Sequence, residues 1–495
     1  MLTKVVLSGV LAISLIFVAH AFDFSADEMA KRVEVFDLGG LRREAFPNGF
    51  VFGTSTSAYQ VEGMTDKGGR GPCIWDTYIK NNPGSIAGNA TADVAVDQYH
   101  RYKEDVDLLS KLNFDAYRFS ISWSRVFPNG TGKVNWEGVD YYNRLIDYLL
   151  EKDVIPYANL FHNDLPQALE DRYLGWLSPK LCKKDYANYA EFCFSVFGAR
   201  VKNWITWNEP RLWLRKATEP YIVGHHFILA HATAVKIYRE KYQPIQQGRI
   251  GIVADFAWYE PLTRSKADNY AAQRARDFHL GWFLDPLING QYPKTMQIIV
   301  QDRLPKFKDE EVQLVKGAFD FIGINHYTTF YMYDPGNRTG PLSYMNDWQA
   351  GYAFKKNGIP IGKRVSYISA LGFVVSFMPW GMYKTSTYIK ERYGNPTVIL
   401  TENGMDDPGN VTFHSGLVDS DRIAYFRGYL QQLRKAIDEG ANVIGYFAWS
   451  LLDNFEGKSG YTSRFGITYI DYDTLNRYPK MSAYWFRKML IKHEH

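Results

Sequence analysis

Cysteine is scarce in this chain of 495 residues: Cys73, Cys182 and Cys193 are all there is, so at most one disulfide can form. A chain this long buries enough core to fold without a cross-link. No Cys-x-x-Cys occurs, which excludes a thiolate zinc site. Net charge is nearly absent too. Against 53 Asp+Glu stand 57 Lys+Arg, leaving +4, with basic and acidic residues interleaved. That balance gives no footprint for nucleic acid. Beyond the first residues no run reaches about 18 uninterrupted apolar positions, the length a membrane-spanning helix needs. His-Glu-x-x-His is missing, and Asp93, Asp97 and Asp105 lack the alternating spacing of an EF-hand. His225, His226 and His231 read as structural, because adjacent histidines leave a helix on different faces. Lys67-Gly68-Gly69-Arg70-Gly71-Pro72 is Gly-rich and basic without Gly-Lys-Ser/Thr, and reads as a surface loop. Neither a metal nor a cofactor is implied.

Aromatic residues are plentiful, with 13 Trp, 35 Tyr and 31 Phe, and hydrophobic residues make up 46%. Most must fill core, though such richness also suits sugar binding. At the N-terminus Lys4 precedes an apolar run from Val5 to Val18 and then Ala19-His20-Ala21. This is the pattern of a cleaved signal peptide over residues 1–21, with a mature chain starting near Phe22. Asn89, Asn129, Asn337 and Asn410 begin Asn-x-Thr sequences that accept N-glycans on a secretory route. The expected destination is extracellular space, cell wall or vacuole. Lys492-His493-Glu494-His495 only loosely resembles an ER-retention signal and lacks its final Leu. No membrane contact is expected after cleavage, and oligomeric state is not legible.

Residues 22–495 contain no linker or low-complexity tract. Short β-rich apolar runs recur at Gly49–Thr56, Ala116–Ser122, Ile155–Phe161, Lys202–Trp207, Arg249–Ala254, Phe319–Asn325, Thr397–Thr401 and Val443–Trp449. Amphipathic stretches separate them, among them Gln98–Lys111, Gly138–Glu151, Lys184–Phe197, Glu219–Tyr242 and Asp421–Glu439. Near-continuous apolar strands alternating with helices imply a buried parallel sheet. Eight such units predict an α/β fold: a single (β/α)8 barrel with long βα loops, the chain exceeding the usual barrel size. A doubly wound sheet would want a Gly-rich phosphate turn after the first strand, and Gly53-Thr54-Ser55 is not one.

In a barrel, functional residues gather where strands end at the C-terminal face. Those positions hold Gln60, Arg118, His162, Asn208-Glu209, Asn325-His326-Tyr327, Glu402-Asn403 and Trp449. Two carboxylates stand out. Glu209 ends strand 4 and Glu402 ends strand 7, so they face each other across the mouth. A retaining glycosidase needs such a pair about 5–5.5 Å apart, one carboxyl donating a proton and the other attacking the anomeric carbon.

Thr206-Trp207-Asn208-Glu209-Pro210, Leu400-Thr401-Glu402-Asn403-Gly404 and the stretch from Phe50 to Gly63 resemble glycoside hydrolase family 1, particularly plant β-glucosidases. The resemblance runs from about Phe46 to Leu490. It implies hydrolysis of β-glucosides or short β-linked oligosaccharides, with Glu209 as acid/base and Glu402 as nucleophile. Gln60, His162, Asn208, Trp449 and Glu456 would contact the sugar, and Tyr327 and Arg118 would support the nucleophile. A glutamate at 209 favours O-glycosides, since thioglucoside-cleaving relatives often carry Gln there. The chain departs from the family pattern at Asn163 and Gly457, where Trp is usual, in the short stretch Arg211–Lys216 after Asn-Glu-Pro, and in Tyr367–Phe377. Lost aromatic contact of about 1.5–3 kcal/mol per ring would weaken substrate binding. The alternative expectation is therefore a secreted β-glucoside-binding relative with impaired turnover.

Overall fold

The computed structural model describes residues 37–212, 217–336, 340–364 and 376–492, and in it eight strands close into a parallel barrel. They are β1 (Val51–Ser55), β2 (Ala116–Ser120), β3 (Ile155–Asn159), β4 (Asn203–Asn208), β5 (Arg249–Asp255), β6 (Phe321–Asn325), β7 (Val398–Asn403) and β8 (Val443–Trp449). Each pairs with its neighbours in chain order, and β8 closes on β1 with Val51 opposite Gly445 and Ser55 opposite Trp449. All eight expected strands are present, with ends that differ by a few residues. Phe319 and Asp320 belong to the turn entering β6, where Asp320 accepts hydrogen bonds from Arg239 and Gln243. β7 runs two residues past the expected end. Its register slips after Leu400, so that Glu402 aligns with Asn325 of β6 and Asn403 with Ala448 of β8. Such a bulge re-aims the side chains beside it.

Helices α1 (Gln98–Lys111), α2 (Trp136–Glu151), α3 (Tyr186–Phe197), α4 (Glu219–Ile237), α5 (Trp282–Asn289), α6 (Trp380–Tyr393), α7 (Ser420–Asp438) and α8 (Met481–Met489) alternate with the strands. α1 shows why they lie there. Tyr99, Tyr102, Val106 and Leu109 are buried at spacings of three and four, one stripe of a 3.6-residue helix. α3 and α4 are shorter than expected, because single π-helical turns at Leu181–Asp185 and Tyr238–Tyr242 replace the ends of the regular helices. Long excursions after β5 and β6 contribute a separate sheet of Trp258–Pro261, Thr329–Tyr333 and Gly351–Ala353.

Ala116, Tyr157, Ile205, Val253, Phe321, Ile399 and Phe447 meet inside the barrel as an apolar plug. Gly53 makes room for it, since a Cβ there would collide with the Phe447 ring. One end of the cylinder is thus sealed, with Arg249 capping the plug against Tyr157 and Asn203, and the other end is left for the mouth. Lys67–Pro72 is the expected surface loop at Lys67, Gly69 and Pro72, which are exposed, but it dips inward between them. Arg70 is buried against Asp76 at 2.8 Å and Gly71 lies under the Pro128 backbone, too close for a side chain. Among the described residues no helix is long and apolar enough to cross a membrane. The signal segment, Asn337, residues 213–216, residues 365–375 and the last three residues lie outside those described.

Candidate active site

Strand alternation sorts the residues at the barrel mouth. After β6, Asn325 and Tyr327 reach inward, whereas His326 turns out to the Phe256 carbonyl at 2.7 Å. On β7, Glu402 faces inward and Asn403 faces out, donating to the His326 carbonyl and to Tyr425. Glu402 is held on both oxygens. Arg118 Nη1 donates to Oε1 at 2.5 Å and the Tyr327 hydroxyl donates to Oε2 at 2.7 Å. The other Arg118 nitrogen, Nη2, donates to Asn208 Oδ1 at 2.6 Å.

Glu209 is aimed differently. It lies one residue past β4 with φ +50°, a left-handed conformation uncommon outside glycine. Its amide donates to the Val253 carbonyl at 3.0 Å. Asn325 Nδ2 donates to its Oε1 at 2.8 Å, and Thr401 Oγ1 donates to Asn325 Oδ1 at 2.7 Å, which fixes the amide with its NH2 toward the acids.

Glu402 is buried and Glu209 half-buried, and removal from water pushes both carboxyls up. The negative charge of Glu402, and after it that of Asp255, raises Glu209 further. Arg118, followed by the Tyr327 hydrogen bond, pulls Glu402 back down. Two acids of one type are thereby separated in proton affinity: both are raised, but Glu402 less than Glu209, so Glu209 is the one that keeps its proton to higher pH. Burial, and then Glu402, pushes the Tyr327 hydroxyl well up, so it remains a donor.

The remaining residues selected from the sequence join the same network. The His162 ring lies between the amides of Asn159 at 3.2 Å and Asn208 at 3.1 Å, and stacks on Trp449 with centroids 5.8 Å apart. Burial, with Arg118 nearby, favours its neutral form. Gln60, on the short helix Ala58–Val61, receives a hydrogen bond from Ser57 at 2.6 Å and donates to Asn454 Oδ1 at 2.9 Å and Glu456 Oε2 at 3.2 Å. Glu456 Oε1 is buried with no protein partner. Burial and Asp406 push the Glu456 carboxyl up to about 8.

Residues 42–495 match the sequence model of glycosyl hydrolase family 1. The chain belongs to that family. It is 60% identical to a β-glucosidase of Arabidopsis thaliana over 96% of this chain and 97% of the relative. It is also 60% identical to a β-glucosidase of Oryza sativa subsp. japonica, over 92% of each. Among solved structures, a mutant rice β-glucosidase in a covalent complex with Glc superposes with a TM-score of 0.88 at 47% identity, covering 92% of this chain and all of that one.

Within this family scaffold, Asn325, placed among the strand ends by the sequence but given no role there, turns out to hold Glu209. Asp406 and Asn454 sit on loops, where no periodicity marks them. Of the departures, Asn163 occupies a left-handed turn after β3 with φ +64°. Gly457 has φ +50°, and a Cβ there would meet only the edge of Trp75, 3.7 Å away. That wall of the mouth is open, and neither change removes a carboxylate. The three histidines of α4 are spent on packing: His225 on Tyr292, His226 on the Trp176 carbonyl, and His231 between Thr206 and the Ala318 carbonyl. Among the described residues no group of three or more His, Cys, Asp or Glu side chains is arranged to hold a metal.

A second buried charge cluster ties the loops after β7 and β8 to α7 and α8. Arg422 meets Asp419 at 2.6 Å and Asp407 at 2.7 Å. Asp453 accepts from Arg464 at 2.8 Å and from Lys480 at 2.9 Å, and Ser482 Oγ donates to Asp419 at 2.6 Å.

Proposed function

We propose that this family member is a retaining β-glucosidase, hydrolysing terminal O-linked β-D-glucosidic bonds through a covalent glucosyl-enzyme intermediate. The observation that carries the reading is the unequal treatment of the two carboxyls at the barrel mouth: Glu402 is gripped by a cation and a phenol, while Glu209 meets the neutral amide of Asn325. The covalent Glc complex of the rice relative and the β-glucosidase names of the Arabidopsis and rice relatives support it.

In the first step the ionised Glu402 forms a bond to the anomeric carbon as the glycosidic C–O bond breaks, and Glu209 gives its proton to the departing oxygen. In the second, water attacks the same carbon. Glu209 takes a proton from that water, and the ester to Glu402 breaks. Two inversions retain the β configuration. Activity needs Glu402 charged and Glu209 protonated, so the pH profile is a bell whose two limbs belong to the coupled pair. Glu456 Oε1, which has no protein partner, is suited to a sugar hydroxyl, as are the amides of Gln60 and Asn208 and the imidazole of His162. Trp449 offers its ring to the sugar face. Substrates are small β-glucosides or short β-linked oligosaccharides.

The expected result is hydrolysis of an aryl β-glucoside that Glu402→Ala lowers by at least about 10⁴-fold, the scale on which nucleophile loss is felt. Glu402→Gly with azide is expected to return the α-glucosyl azide. Equal rates for wild type and Glu402→Ala, or recovery of only the β-azide, overturn the assignment.

We further infer a secreted glycoprotein bound for the extracellular space, cell wall or vacuole. The charged-then-apolar N-terminal segment and the exposure of Asn89, Asn129 and Asn410 support this. An N-terminal sequence of the mature protein beginning at Met1 would contradict it.

A further inference from the structure

Two residues past Glu209, in the turn Pro210–Leu212, Arg211 reaches back to the barrel. Its Nε donates to Asp255 Oδ2 at 2.9 Å, and Nη2 meets the same oxygen. Asp255 is the last residue of β5 and lies opposite Asn325 in the β5–β6 ladder. It also follows Val253 by two positions, which puts both side chains on one face of the strand. Val253 belongs to the apolar plug inside the barrel, and its carbonyl accepts the Glu209 amide. Asp255 therefore stands on the inner face, beside the acid that Asn325 touches. The Arg211 and Asp255 side chains are 14% and 19% exposed, so water screens the pair only weakly.

We propose that the Arg211–Asp255 ion pair sets the proton affinity of Glu209, each partner cancelling the other's effect on the acid/base; this deepens the assignment of Glu209 above and rests on it. The two charges act on Glu209 in opposite senses, Asp255 raising it and Arg211 lowering it. The other groups facing Glu209 are Glu402 from β7 and Tyr327 after β6, with Arg118 of β2 and His162 one residue away through Asn208. Arg211 is faced by Tyr259, Tyr344, Tyr352 and His279. Among these, Arg211 and Asp255 alone form an ion pair with each other beside Glu209 without gripping Glu402. Acid/base tuning is in this way separated from support of the nucleophile.

The test is a charge cycle read in two ways. Arg211→Met leaves Asp255 beside Glu209 and moves the alkaline limb of kcat/KM to higher pH, by about one unit. Asp255→Asn leaves the guanidinium and moves the limb lower by a similar amount. The double variant returns it toward wild type, and Arg211→Lys keeps it there. In parallel, the ¹³C carboxyl signal of labelled Glu209, identified by its loss in Glu209→Gln, is titrated in each protein. Opposite shifts that cancel in the double variant support the proposal. Limbs and carboxyl signals that stay put, or that move the same way in both single variants, overturn it. A protein that fails to hydrolyse β-glucosides refutes the proposed function alone, because the ¹³C titration still reads Glu209. Should Arg211→Met fail to fold, the shift between Asp255→Asn and the double variant separates the same two outcomes.

Discussion

The cluster of Asp407, Asp419 and Asp453 with Arg422, Arg464 and Lys480 pairs three carboxylates with three cations, whereas at the mouth Arg118 answers Glu402 and leaves Glu209 on the amide of Asn325 and Glu456 on that of Gln60. The first group lies on the loops after β7 and β8 and the helices that follow, the second gathers residues from β2, the end of β4, β7 and the loop after β8, and both are largely withdrawn from solvent. Charge matching decides what each can do. A matched cluster has every charge answered and serves to hold loops in place. In the unmatched one, burial keeps surplus carboxyls protonated, and a proton held near neutrality is what glycosyl transfer uses. Stability and reactivity are thus assigned to neighbouring regions by their ratio of acids to bases.

The strongest challenge to this contrast is Asp453→Asn. It leaves Arg464 and Lys480 buried without their carboxylate, and unfolding free energy is expected to fall by about 3–5 kcal/mol in urea titration. A loss below about 1 kcal/mol would place the matched cluster on the same footing as the mouth. Tyr327→Phe comes next. Deleting the hydroxyl removes a hydrogen bond to a charged group, and kcat/KM is expected to drop about 10- to 100-fold while the unfolding midpoint holds. The acid limb moves to higher pH, since the ionised form of Glu402 loses a donor. The smallest effect belongs to Glu456→Gln. Glu456 holds its proton in the fold up to about 8 against an ordinary 4.5, so the stability it contributes is present at pH 4.5 and lost as pH rises through 8. The variant escapes that loss. Its advantage in melting temperature over wild type should grow from near zero at pH 5 to about 2–4 °C at pH 8 by calorimetry, with weaker sugar binding. A constant difference across that range would show that the fold does not hold the proton on Glu456.

What the sequence disclosed follows from the same physics. Barrel strands are buried on both faces, so runs such as Phe321–Asn325 and Val443–Trp449 stand out as apolar stretches whose ends point to the mouth. Glu209 and Glu402 were legible there because an acid at the end of such a run has few other reasons to exist. The bulge in β7 was not, since it arises from pairing with two neighbours at once. The matched cluster was equally hidden: Asp407, Asp419, Asp453, Arg464 and Lys480 come from separate loops and helices with no repeat to connect them. The inward turn of Arg70 within its surface loop was hidden as well, because composition cannot reveal that Pro128 covers the adjacent glycine.

Glu402 lies within β7, opposite Asn325 of β6, whereas Glu209 is itself a left-handed residue just beyond β4. The two partners in the chemistry are therefore mounted with unequal freedom. In the proposed mechanism, the bond to the sugar is made against a fixed wall, while the proton is carried by an arm with its own pivot, able to meet first a departing alcohol and then an incoming water at slightly different points without disturbing the cylinder.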